Sequence, residues 1–351
     1  MSQMRTSRTR ARVLALSAGL MALAMSGAAQ AQDAMQAQAD FYKGKTVRVM
    51  VGHPPGGSYD FYARLAADML KVHLPQAAAV IVENKPGGGG VIATNYLYSQ
   101  APRDGTVLAV FPETIANTQV MEPDVGKWKV QDMRYIGSFS PVNTAFVRRK
   151  NSPSKTPEDM KRQETIVGCT GTTAQSYQYP ALLKVLGGFK FKMICGYPGA
   201  NEYSIALERG EIDLVSSAWN SWRVTHARQL ADGDLVAVIQ TGLKRNHELP
   251  NVPLMQELVD DPFAKKVIEF ASAGAMIGRA LLAGPGVPEE RIAYLRSVFD
   301  KMVADPAMIE MAAKRNLELD PASGAVVQGY SDAIVKTPPD IVEKAATAFK
   351  G

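Results

Sequence analysis

The chain has 351 residues, with 39 lysines and arginines against 34 aspartates and glutamates, a net charge of +5 with histidine neutral. Residues 1–31 hold Arg5, Arg8, Arg10 and Arg12 and no acid, so the remainder carries 35 basic and 34 acidic side chains, a net charge of +1. A nearly neutral surface gives no electrostatic footprint for nucleic acid, and a chain this long exceeds what one hydrophobic core usually holds, which predicts two domains.

The N-terminal segment reads as an export signal. Its basic start is followed by an apolar stretch from Val13 to Met25, shorter than the roughly 20 residues that span a bilayer. Ala29-Gln30-Ala31 then gives the small-x-small pattern of signal-peptidase cleavage, predicted after Ala31. An uncleaved membrane anchor is the competing reading. No cysteine stands near the cut for a lipid anchor, and no Arg-Arg pair marks the twin-arginine route. The expectation is a periplasmic, soluble, monomeric protein in an oxidising compartment. There Cys169 and Cys195, each near the end of a predicted strand, either pair or stay as buried thiols.

Strand and helix signals then alternate. Thr46–Gly52 is β-branched and apolar, a buried strand. After His53-Pro54-Pro55-Gly56-Gly57, the spacing predicts a helix over Tyr59–His73 with Phe61, Leu65, Ala66, Met69 and Val72 on its buried face. A strand over Ala78–Glu83, a glycine-rich turn over Asn84–Gly90, a helix over Val91–Gln100 and a strand over Thr106–Phe111 follow. This order predicts a parallel sheet covered by helices. A second α/β series begins at Ala145–Arg148, with strands over Thr165–Cys169, Lys190–Cys195, Ile212–Ser216 and Leu235–Thr241. Its helices are expected after Thr156-Pro157, over Thr173–Gly187 and over Glu202–Arg209. A stretch near Ala275–Gly284 returns the chain to the first domain, and helices over Glu289–Ala304, Pro306–Asn316, Ala322–Val335 and Asp340–Phe349 complete it. The predicted division is 32–142 plus 277–351 for one domain and 143–276 for the other.

Two loops carry the chemistry. Pro55-Gly56-Gly57-Ser58 joins a strand to a helix, where glycines let backbone N–H groups approach a ligand and the helix dipole favours a carboxylate. Ser58 adds a hydroxyl, as ligand donor or helix cap. Asp60, which would repel an anion, is expected to brace the loop. Glu83–Gly90 turns at the same edge of the sheet, so Gly88, Gly89 and Gly90 are placed opposite, where open α/β sheets bind ligands. Gly88-x-Gly90-x-x-Ala93 matches a dinucleotide fingerprint in form only: it follows the second strand and has no acid about twenty residues on.

Taken in order, Pro55-Gly56-Gly57-Ser58-Tyr59-Asp60, Val82-Glu83-Asn84-Lys85-Pro86-Gly87-Gly88-Gly89-Gly90, Ala101-Pro102-Arg103-Asp104-Gly105-Thr106, Tyr197-Pro198-Gly199 and Leu282-Ala283-Gly284-Pro285-Gly286-Val287-Pro288 form a specific set. The chain resembles the Bug-type receptors, periplasmic substrate-binding proteins of tripartite tricarboxylate transporters. The resemblance implies an α/β, two-domain, type II-like periplasmic-binding fold that closes on a small carboxylate, di- or tricarboxylate, and docks transiently on membrane subunits. An aromatic carboxylate is suggested instead by the two tryptophans Trp219 and Trp222. It implies no enzyme activity, cofactor or metal. Carried over, the first-loop contacts are Pro55, Gly56, Gly57 and Ser58. The second domain's hydroxyl loop falls on Thr170, Thr172 and Thr173, and Tyr197 matches a family tyrosine near the cleft. One departure stands out: Ser216-Ser217 replaces the family's Phe-Asp, followed by Ala218-Trp219-Asn220-Ser221-Trp222. Losing that acid argues against a ligand ammonium. Ser217 and Trp219 become candidate contacts, with Trp219 and Trp222 either stacking on a flat ligand or packing in the core.

Two other functions compete. A sensory receptor would read the same closure through a signalling partner. A hydrolase would use Ser152-Pro153-Ser154-Lys155, an S-x-x-K pattern without the motifs that accompany it in known enzymes. The four histidines (His53, His73, His226, His247) have no ligand spacing.

Overall fold

The computed structural model describes residues 32–172 and 174–349; the expected leader and Thr173 lie outside them. A helix over 32–41 (α1) precedes the first sheet. That sheet is built from β1 (Thr46–Val51), β2 (Ala79–Asn84), β3 (Val107–Val110), β4 (Arg134–Ser138), β10 (Ala280–Ala283) and β11 (Ala322–Ser323), in the order β11-β4-β10-β3-β1-β2. β1 pairs in parallel with β2 and β3, while β10 runs antiparallel to both neighbours. The five-stranded second sheet runs β7-β6-β8-β5-β9, from β5 (Thr144–Arg149), β6 (Thr165–Cys169), β7 (Phe191–Cys195), β8 (Leu214–Ala218) and β9 (Leu235–Gln240). The protein is thus a mixed α/β molecule with two helix-flanked sheets.

Helix α2 (Ser58–His73) shows why sequence periodicity understated the first lobe. The expected stripe does bury Leu65, Ala66 and Met69, but Val72 is 62% exposed. Tyr62, Ala63, Ala67 and Leu70 are buried as well, because α11 (Glu289–Ala304) and α12 (Pro306–Lys314) cover the side turned away from the sheet. A helix held between a sheet and other helices needs an apolar surface wider than one stripe.

The second lobe has clear local signals. α5 (Pro157–Arg162) starts with a capping box in which Thr156 accepts from the Asp159 N–H and Asp159 accepts from the Thr156 N–H. α6 (Gln175–Gly187) ends on Gly188 in the left-handed conformation, as does α7 (Ala200–Arg209) on Gly210. β6 and β7 lie side by side in parallel, with Cys169 opposite Cys195, and the two cysteines form a disulfide. Of the two outcomes left open by the sequence, register selects the bonded one.

The chain passes between the sheets twice, after β4 and again before β10, and the two crossings are hydrogen-bonded to each other. The Phe139 N–H donates to the Arg279 carbonyl at 3.0 Å, and the Arg279 N–H to the Ser140 carbonyl at 2.9 Å. Gly278 has φ +61°, and a Cβ there would fall 1.9 Å from the Ser140 carbonyl oxygen, so only glycine fits between the crossings. α14 (Pro339–Phe349) packs on α6 and on α10 (Pro262–Ser272) as well as on α4 (Ile115–Met121). The Tyr177 hydroxyl of α6 donates to the Phe349 carbonyl at 2.8 Å.

Candidate functional site

A cavity of about 50 Å³ lies between the two sheets, with walls from both. The first lobe contributes His53, Pro54, Pro55, Gly57, Ser58, Tyr59, Gly89, Pro112 and Arg279. The second contributes Thr170, Ala174, Gln175, Ser176, Gly199–Tyr203, Ser217, Ala218 and Ser221. A pocket of about 400 Å³ adjoins it, sharing His53, Pro54, Gly89 and Thr170 and adding Gly88 and Tyr197.

The walls are loops at the carboxyl ends of strands, each leading into a helix. β1 leads to α2, β6 to α6 and β7 to α7, and the first turns of all three helices line the cavity. Three sets of unpaired N–H groups and three positive dipole ends thus point at one place. Gly57 is the N-cap of α2 with no side-chain cap, and the Phe61 N–H closes the first turn on its carbonyl. The loop before it is held from below by Asp60. One Asp60 oxygen accepts from the Gly56 N–H at 3.0 Å and from Arg64 at 2.8 Å, the other from Asn84 at 3.0 Å. Asp60 braces the loop, as its charge required.

The glycine run after β2 is shaped by backbone contact. Gly87, Gly88, Gly89 and Gly90 all have positive φ. A Cβ on Gly90 would fall 2.8 Å from Pro112, and one on Gly52 would fall 2.8 Å from the Gly90 Cα. Gly90 is therefore a spacer between β1 and the Pro112 segment, while Gly89 reaches the cavity and Gly88 the adjoining pocket. Across the gap, a Cβ on Gly171 would lie 3.5 Å from the Gly89 nitrogen, so the loops of the two lobes meet.

The predicted residues separate in space. Pro55, Gly57, Ser58, Gly89, Thr170 and Ser217 share the cavity, and Gly88 and Tyr197 border it. Gly56, at φ +88°, turns its α-carbon towards Asn201. Thr172 is exposed. Thr170 is tied to Ser176, which accepts its N–H at 3.1 Å. Ser217 accepts from the Tyr203 hydroxyl at 2.8 Å, and burial pushes that phenol up to about 12. Trp219 and Trp222 belong to the apolar cluster of the second lobe with Leu207, Ile212, Val215 and Leu235. The Trp219 indole donates to Glu248 at 2.6 Å. Both rings pack in this cluster, and neither is among the residues lining the cavity. Ser152 is buried, with its hydroxyl donating to the Asp213 carbonyl at 2.9 Å, so the S-x-x-K pattern presents no free nucleophile.

Sequence reasoning missed the charged floor. Arg279 and Glu113 are both fully buried and form an ion pair at 2.7 Å. Glu113 also accepts from the Tyr59 hydroxyl at 2.9 Å, and the guanidinium lies 4.1 Å from the centre of the Tyr59 ring. Burial works against the arginine's charge, but Glu113 and Tyr59 hold its pKa above the ordinary value. His53 stacks on Tyr59 at 4.6 Å, and burial, with the Arg279 charge second, lowers its pKa to about 4. The imidazole is neutral at physiological pH. A relay then joins the lobes: Arg279 Nε donates to Ser58 Oγ at 2.7 Å, and Ser58 donates to Asn220 Oδ1 at 2.8 Å. Among the described residues no cluster of three or more His, Cys, Asp or Glu could hold a metal, and no helix is long and apolar enough to cross a membrane.

Comparison with known proteins agrees with this architecture. Residues 62–328 match the model of the tripartite tricarboxylate transporter family receptor, TctC. A Cupriavidus necator protein described as "UPF0065 protein in gbd 5'region" is 28% identical over 324 residues, 89% of this chain and 91% of its own. Among solved structures, the periplasmic binding protein BugD superposes with a TM-score of 0.68 at 22% identity, over 87% of this chain and 98% of BugD. MatC from Rhodopseudomonas palustris with bound malate gives 0.66 at 19% identity, over 85% and 99%. The fold is that of the periplasmic binding proteins, and the chain belongs to the receptor family of the tripartite tricarboxylate transporters.

Proposed function

We propose that this chain is a periplasmic receptor that closes two lobes on a small carboxylate and presents the closed form to the membrane subunits of a tripartite transporter. The observation that carries this is the convergence of α2, α6 and α7 on one cavity between the sheets. Three helix N-termini stabilise an anion without themselves adding a titratable group. The lobes are residues 32–142 with 277–351, and 143–276, with α14 laid across onto the second. Pro55, Gly57, Ser58 and Gly89 meet the acid from one side, Thr170 and Ser217 from the other. Such a protein binds and releases, and no nucleophile or metal is required. The leader ending near Ala31 directs it to the periplasm.

The solved relative with malate makes a C4 acid the natural first probe. Calorimetric titration with malate and a panel of aliphatic and aromatic mono-, di- and tricarboxylates, alongside their amides, tests the reading. The expected result is at least one acid bound at micromolar affinity or tighter, with the matching amide much weaker and a smaller radius of gyration in X-ray scattering. Binding by no acid, or equal binding of acid and amide, rejects it.

A further inference from the structure

The helix termini explain why an anion is welcome, but they do not explain Arg279. A buried charge needs its hydrogen-bonding capacity met, since an unpaired buried group is costly. Arg279 meets only part of it. Nη1 is used by Glu113 and Nε by Ser58, while Nη2, equally buried, has no partner in the protein. The residue is among those bordering the cavity and has no solvent-accessible surface. A guanidinium anchored at Nη1 by a carboxylate and at Nε by a hydroxyl cannot turn, so the direction of its Nη2 N–H groups is set.

We propose that Arg279 is the charged specificity determinant of this receptor, its Nη2 donating to an acid group of the ligand. Glu113 neutralises the arginine when the cavity is empty of ligand and holds it in place when an acid arrives. Arg279 also sits on the second crossing between the lobes, bonded through its backbone to the first crossing and through Ser58 to Asn220. Reading the acid and stabilising the closed form therefore involve the same side chain. This selects a ligand with a full negative charge at that point, and disfavours esters, amides and amines of the same shape. No acid in the cavity lining other than Glu202 could balance a ligand cation. The inference rests on the receptor reading above and adds the residue that distinguishes an acid from its neutral analogue.

The test is a cycle on protein and ligand together. Arg279→Met combined with Glu113→Gln removes the pair without leaving either charge buried alone. The tightest acid from the panel and its amide are titrated into both proteins, with folding checked by circular dichroism and thermal unfolding. The expected result is a loss of roughly 10- to 100-fold for the acid, from one charge-assisted hydrogen bond, and little change for the amide. Equal losses for acid and amide would mean a merely structural role and would overturn the proposal, as would an unchanged acid affinity. A measurement on unaltered protein covers the case of a variant that does not fold. With 15N-arginine labelling, saturation by the acid should shift an Nη proton signal and slow its exchange, and the absence of any change overturns the proposal. If no acid in the panel binds, the receptor reading itself fails and this inference falls with it. If acids bind but the cycle shows no coupling, only the role of Arg279 is lost.

Discussion

Asn220→Ala tests whether the relay between the lobes contributes to closure. Asn220 is almost fully buried, accepts from Ser58 at 2.8 Å and donates to the Tyr62 hydroxyl at the long distance of 3.4 Å. Both partners belong to α2, so these bonds exist only while the lobes are together. In an open form Asn220 and Ser58 face water and lose little by the substitution. In the closed form the Ser58 proton loses its acceptor inside the protein, at a cost of about 1–2 kcal/mol. Ligand affinity depends on the fraction of molecules that can close, so the same energy appears as a roughly 5- to 30-fold weaker Kd. The assay pairs calorimetric titration of the best-binding carboxylate with X-ray scattering of the free and saturated protein. The expected outcome is a weaker Kd, unfolding behaviour within about 2 °C of the parent, and a closed-form radius reached only at higher ligand concentration. Full affinity in a correctly folded variant would refute the reasoning, because the relay would then contribute nothing to closure.

Three further outcomes are expected. Gly57→Val places its side chain in the cavity, since a Cβ there meets nothing within 4 Å and φ −109° suits any residue; it should remain folded with a penalty of about 1 kcal/mol for the altered cap, yet lose measurable binding by calorimetry. Because the His53 pKa is lowered from 6.5 to about 4, the unfolded chain binds the proton first. Its contribution to stability is complete above pH 6.5 and declines as pH falls towards 4, so His53→Gln should flatten the fall in unfolding temperature across that window. The Cys169–Cys195 disulfide joins residues 26 apart, and closing such a loop constrains the unfolded chain by about 3.5 kcal/mol. Reduction, or replacement of both cysteines by serine, should lower the unfolding temperature by several degrees.

Eight strands were legible because buried strands are written in β-branched and apolar residues, and each lies within two residues of its expected place, whereas β4 and β10 were not read as strands and β11 falls where a helix was expected. Helices were legible where they had caps or one-sided apolar faces. α8 (Trp219–Thr225) was not, being a seven-residue helix of two tryptophans with asparagine, serine, arginine, valine and threonine, held by its surroundings. α10 was passed over although Asp261-Pro262 marks its start, with Asp261 accepting from the N–H groups of Phe263 and Ala264. The site divides along the same line. Glycine loops announce themselves, since few other residues adopt their backbone. The Arg279–Glu113 pair does not, because the two stand 166 positions apart and meet only through the fold. One signal was available: a lone arginine in Met276-Ile277-Gly278-Arg279-Ala280-Leu281-Leu282 is a charge in a stretch otherwise fit for the interior.

The placement of α14 bears on how this molecule assembles. The middle lobe's strands are complete by Gln240, yet α6 and α10 receive their cover from residues 339–349. A polypeptide growing from its N terminus therefore carries an apolar surface of that lobe uncovered until Ala345, Ala348 and Phe349 arrive to seal it. Removing those eleven residues should leave a molecule that binds its own kind through the bared face, long before its ligand cavity is disturbed.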